Sequence, residues 1–136
     1  SKVVYVKQGP TRRFVILDAG MNDLMRPTLC NAHHAIEAIK QPAENAEYEV
    51  VDVVGPICES GDIFAKGREM PPLIQGDLVM FRTAGAYASS MASTYNARDL
   101  IPEIMVNGAN YAVVRRAIKP ADLMFFEDMP DWLGER

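Results

Sequence analysis

Apolar and polar positions along this chain switch in short blocks, with the period of strands more than of helices. Residues 3–7 form a β-branched and aromatic run, and residues 13–18 form a second around Phe14, Val15, Ile16 and Leu17, with Gln8, Gly9 and Pro10 clustered between them. Two such runs about a turn cluster predict a hairpin. Residues 48–54, YEVVDVV, read as the best-buried strand, closed by Gly55 and Pro56. Residues 73–83 follow the same logic, with Gly76 and Asp77 as a turn ahead of LVMF. Residues 34–40 alternate weakly and read as a further strand. Ile104, Met105 and Val106, then Asn107 and Gly108, then residues 111–115 predict a second hairpin. An Asn-Gly pair supplies the positive φ of a tight turn at little steric cost.

Helical signals are few. Residues 22–26 allow one helical turn, which Pro27 is expected to end by pushing Arg26 toward an extended backbone. Residues 88–93 are small and helix-tolerant, and Pro120 opens a segment with proline in a first helical turn. Short strands with regular turn signals predict a mainly β chain, a barrel or sandwich with a few short helices. At 136 residues the chain is long enough for one domain with a real core.

Composition removes several functions. Hydrophobic residues at 49% and charged residues at 24% fit a soluble globular protein and argue against disorder. No apolar run approaches the ~20 residues that a membrane crossing needs. The net charge is −4, with Lys and Arg scattered, so nucleic acid is not an expected partner. Two cysteines, with no CxxC pair, predict a reduced, cytoplasmic protein. The opening Ser1, with no initiator Met, fits a piece of a longer protein.

Four places carry candidate chemistry. Cys58 sits in the turn-rich GPICESGD segment with Glu59 and Asp62 close in sequence. Negative neighbours favour a neutral thiol, which makes Cys58 a better proton donor than nucleophile. A structural cysteine at a strand end is the alternative. Tyr87, after Gly85 and Ala86, stands where a strand gives way to a helix, so its phenol and nearby N–H groups could meet a phosphate; a rim tyrosine is the alternative. Arg26 is the single cation between Leu24 and Ala32, a planar fork suited to a carboxylate or phosphate, or else to a surface ion pair. Cys30, His33 and His34 lack the second ligand pair of a structural zinc site, so no metal is expected. The eight methionines read as core fillers.

These stretches, in this order, resemble the C-terminal part of the diaminopimelate decarboxylases. The motifs are DAGMNDLMRPTL from Asp18, VGPICESGD from Val54, Gly76-Asp77, GAY from Gly85, SMASTYN from Ser90, and Arg98. The resemblance implies an alanine racemase-like, fold-type III pyridoxal 5'-phosphate (PLP) enzyme with two domains. Residues 1–136 would be its C-terminal β domain, and an N-terminal α/β barrel outside this chain would carry the PLP lysine. None of Lys2, Lys7, Lys40, Lys66 and Lys119 sits in the family's PLP-lysine motif.

The resemblance further implies a homodimer with shared active sites that converts meso-diaminopimelate to L-lysine. Cys58 would donate the proton that replaces CO2, and Glu59 would contact the distal end of the substrate, both in the partner subunit's site. Arg26 would pair with a substrate carboxylate, and Tyr87 would touch substrate and the cofactor phosphate. Cys30 stands where the family has a substrate-contacting tyrosine, so a decarboxylase of another basic amino acid or of a carboxylated polyamine is an alternative. A stand-alone β binding module is another. Alone, the chain is expected to be inactive, to expose the apolar surface on which the barrel packs, and to oligomerise.

Overall fold

The computed structural model describes residues 1–134. Strand β1 (Val3–Gln8) turns at Gly9 and pairs antiparallel with β2 (Arg13–Leu17), Val6 opposite Val15. That is the predicted hairpin. β2 then pairs in parallel with β4 (Glu49–Val54), which pairs antiparallel with β5 (Ile63–Met70), giving a four-stranded sheet in the order β1-β2-β4-β5. β5 lies where the sequence reading placed no strand. Its run of Lys66, Gly67, Arg68 and Glu69 hides the pattern, because Gly67 is a left-handed residue (φ 58°) at an irregularity in the β4–β5 pairing. Asp52 explains how a carboxylate can lie inside the buried β4. It accepts the Gly67 N–H at 2.7 Å and Arg12 Nη1 at 3.0 Å, so the buried charge is paired and hydrogen-bonded.

A second ladder joins β3 (Ile36–Ala38) to β6 (Val79–Phe81), both shorter than the runs that predict them. The turn ahead of β6 closes with the Asp77 N–H on the Ile74 carbonyl, and Gly76 takes φ 97° there. One isolated bridge, Lys2 to Leu78, ties β1 to this region. Among the described residues the strands fall into separate sheets joined by no more than this isolated bridge, so the barrel form of the prediction is not realised. Val3, Val15, Leu17, Val51, Val53, Phe64, Met70 and Val79 form the core, and the Phe64 and Phe81 rings, 4.8 Å apart, pack β5 against β6.

Helix α1 (Arg26–Cys30) corrects the proline reading. Pro27 sits in its first turn, where the missing N–H has no helical partner to lose, so it starts the helix instead of ending one. Helix α2 (Ala88–Met91) follows β6.

The chain packs as two compact units, Ser1–Ala92 and Ser93–Arg136. The second is built on the predicted hairpin of β7 (Glu103–Asn107) and β8 (Asn110–Arg115). Its loop is Gly108-Ala109, one residue later than an Asn-Gly turn. Asn107 pairs with Asn110, and the positive φ (59°) falls on Gly108, the first loop position, where a II′ turn takes glycine. A Leu100–Ile118 bridge closes its base, and α3 (Pro120–Leu123) and α4 (Asp131–Gly134) follow. No residue from 93 to 133 is buried. Among the described residues, no helix is long and apolar enough to cross a membrane.

Candidate functional site

All five candidate site residues lie in the first unit, on two segments and one helix start. The first segment is the loop that leaves β2 and enters α1. Asp23 closes it by accepting the Gly20 N–H at 2.8 Å, while its own N–H returns to the Gly20 carbonyl. Gly20 has no room for a side chain, since a Cβ there would lie 2.7 Å from both Asn22 Oδ1 and Ile57 Cδ1. This close approach brings the loop against the second segment, the turn that joins β4 to β5.

That turn presents Cys58 and Glu59, both exposed, with Cys58 a free thiol. Glu59 folds onto it, Oε1 accepting the Ser60 hydroxyl at 3.1 Å and the Gly61 N–H at 3.2 Å. Asp62, by contrast, is buried. One carboxylate oxygen accepts the Ile57 N–H and the other the Met21 N–H, each at 2.7 Å. A second strap runs from the Thr28 hydroxyl on α1 to the Gly61 carbonyl, at 2.6 Å. Asp62, with both oxygens, and Glu59, with one, thus hold the turn.

Arg26 opens α1 with its guanidinium carbon 5.6 Å from the centre of the Tyr87 ring. Tyr87 is 62% exposed and caps α2 from a left-handed conformation, φ 69°. A non-glycine residue there costs about 1–3 kcal/mol, so the surrounding turn holds the ring against a local preference. A cation resting on a ring face keeps its N–H edge for a bidentate carboxylate. The structure thus joins Arg26 to Tyr87 and ties the Arg26 helix, α1, to the Cys58–Glu59 turn. Cys30 ends α1, exposed, its Sγ 3.3 Å from the Arg26 carbonyl oxygen, a bond within its own helix. His34 is buried with Nδ1 3.1 Å from the Arg82 carbonyl oxygen, whereas His33 is exposed. Among the described residues, no group of three His, Cys, Asp or Glu is placed to hold a metal.

Sequence reasoning took Asp62 only as a charge beside the thiol and passed over Thr28 and Gly20. The available signal was an Asp closing a glycine-rich turn just before a strand, a position from which a carboxylate can bond backbone N–H groups.

A family profile described as "Pyridoxal-dependent decarboxylase, C-terminal sheet domain" matches residues 1–85. The diaminopimelate decarboxylase of Zymomonas mobilis is 47% identical over 98% of this chain and 31% of its own length. Among solved structures, the diaminopimelate decarboxylase of M. jannaschii matches with a TM-score of 0.90 and 36% identity, over 97% of this chain and 30% of that one. The Helicobacter pylori diaminopimelate decarboxylase, complexed with L-lysine, gives 0.82 and 42%, over 92% of this chain and 30% of that one. The chain therefore spans just under a third of the length of these relatives. With the profile matching more than half of the chain and these folds superposing on nearly all of it, the chain belongs to the pyridoxal-dependent decarboxylases and carries their C-terminal sheet domain.

Proposed function

We propose that this chain is the C-terminal domain of a cytoplasmic, homodimeric diaminopimelate decarboxylase, which releases CO2 from meso-diaminopimelate and leaves L-lysine. Its N-terminal α/β barrel carries the PLP lysine. The observation that carries this reading is the Arg26 guanidinium set on the Tyr87 ring, on a helix strapped to the turn that exposes Cys58 and Glu59. An exposed thiol and carboxylate on one turn, and a cation–phenol pair between α1 and the start of α2, supply two half-sites. In the dimer, Arg26 and Tyr87 serve one active site, and Cys58 and Glu59 serve the partner's.

The chain's own residues fit one wall of a PLP site. Arg26 and Tyr87 offer donors to anions, the substrate carboxylate for the first and the cofactor phosphate for the second. The resemblance gives the PLP lysine to the barrel, and all five lysines of this chain are exposed. When bound, PLP supplies the electron sink for loss of CO2. Cys58 holds the proton on Sγ and delivers it to the carbon that CO2 has left. Glu59 spends only Oε1 on its own turn, which keeps Oε2 for the distal ammonium of the substrate.

The experiment is Cys58→Ala in the protein that carries both domains. Turnover falls by about 10²–10⁴, the usual weight of a positioned general acid; unchanged turnover overturns the assignment. Cys30 favours a second reading, because a thiol bonded back to Arg26 leaves the space of a larger side chain open. A substrate panel decides it: a better rate with another basic amino acid or a carboxylated polyamine than with diaminopimelate selects that reading.

A further inference from the structure

We infer that Asp62 is the positioning residue of this site, fixing the Cys58–Glu59 turn to the base of the Arg26 helix; the inference rests on the reading just given for those residues. Asp62 is 3% exposed, and a carboxylate so buried is stable only when its oxygens are bonded. Its two partners come from separate parts of the chain. Ile57 N–H belongs to the turn itself, and Met21 N–H to the loop that feeds α1, each at 2.7 Å. A carboxylate that merely capped its own turn would need only the first. The main chain adds a clasp, with the Gly55 N–H on the Asp62 carbonyl at 3.0 Å and the Asp62 N–H on the Glu59 carbonyl at 3.1 Å.

Gly55 keeps the carboxylate in place by leaving it room, since a Cβ at that position would overlap the Asp62 side chain. Gly20, on the α1 loop, leaves room instead for Ile57, on which a Cβ there would press. Moving Asp62 therefore moves Cys58 and Glu59 with respect to Arg26. In the dimer described above, those two pairs serve different active sites. Asp62 thus links the two half-sites that one subunit contributes, and an error in its position reaches both.

The test uses amide hydrogen exchange on the chain, and alkylation of Cys58 by iodoacetamide with Cys30 as an internal reference. In the unaltered chain the Met21 and Ile57 amides, although outside the strand ladders, exchange at least tenfold more slowly than exposed loop amides. Exchange of both at loop rates ends the proposal with no variant needed. In Asp62→Asn those two amides gain at least tenfold in exchange, and the Cys58-to-Cys30 alkylation ratio shifts at least threefold. Protection in β2 and β4 is retained. Gly55→Ala, which displaces the carboxylate without removing it, gives the same pattern. An unchanged ratio, or loss of protection across both strands, overturns the positioning role. In the protein with both domains, Asp62→Asn lowers kcat at least tenfold and raises KM for the substrate severalfold. Unchanged turnover in Cys58→Ala refutes the proton-donor role of Cys58 while leaving the exchange and alkylation results standing, so the two failures are distinguishable.

Discussion

The two units of this chain are made from similar strand-forming residues and differ in what those strands cover. In Ser1–Ala92, Leu17, Val15, Val53 and Phe64 are buried against strands of two ladders. In Ser93–Arg136, the hairpin β7–β8 is as regular, with five paired positions, yet Met105, Val106, Tyr111 and Val113 remain exposed, and Trp132 is 82% exposed. A two-stranded ribbon forms its own hydrogen bonds but cannot bury a face without a third strand or a helix across it. Strand propensity makes the ribbon; burial must be supplied by something else. The second unit therefore exposes its apolar side chains, while the first unit buries its own in a core.

The largest expected contrast comes from matched truncations. Leu17→Ala costs about 2–5 kcal/mol of the stability of the first unit, the usual loss for a buried leucine. Val106→Ala costs under about 0.5 kcal/mol, as at other exposed positions. Urea denaturation measures both, and equal costs would break the comparison. In the protein with both domains, an increased cost for Val106→Ala would sharpen it. Next come two glycines. Gly20→Ala forces a Cβ against Ile57 and costs about 1–3 kcal/mol. Gly108→Ala meets open space and pays only for its left-handed φ, about 1 kcal/mol. A calorimetric order opposite to this would mean that the loop before α1 relaxes freely.

Polar ties rank lower. Thr28→Val leaves the Gly61 carbonyl without its hydroxyl partner and costs about 1 kcal/mol, whereas Glu103→Gln, at the ion pair with Arg115, changes stability by less than about 0.5 kcal/mol. The smallest effect is a pH dependence at the β3–β6 ladder. Arg82 donates two hydrogen bonds to Glu37 and holds its carboxyl below the ordinary glutamate value. For an acid with a lowered folded pKa, the added stability is present above the unfolded value and disappears as pH falls through the folded one. NMR titration of Glu37 gives a midpoint below the ordinary value, and Arg82→Gln returns it there. An unshifted midpoint in the unaltered chain would show that the pair is not formed in solution.

Local pattern was enough for the β1–β2 and β7–β8 hairpins, because each is encoded within a few residues by alternating apolar positions and a turn cluster. It was not enough for β5. There Lys66, Arg68 and Glu69 interrupt the apolar pattern, and the segment is a strand through its pairing with β4, to which the Gly67 N–H adds a bond to Asp52. Pro27 shows the same limit, since its ring is compatible with either ending or starting a helix and the choice depends on where α1 packs. At the candidate site, Arg26, Cys58 and Tyr87 stand out by residue type and order, and Glu59 through the resemblance. Asp62 was visible only as a charge, because its bond to Met21 joins positions 41 apart in sequence, beyond any local window.

The parallel pairing of β2 with β4 has a consequence for how the molecule comes together. Parallel neighbours cannot be joined by a tight turn, so everything from Asp18 to Tyr48 must travel as a crossover before these strands can meet. That crossover carries Arg26. Because the entropy of closing a long excursion is paid before its contacts form, assembly of the central sheet is a slow, nonlocal event, and the same event delivers the arginine to its place. A chain caught before this closure has neither a finished sheet nor the Arg26–Tyr87 contact, and the two are therefore recovered together on refolding.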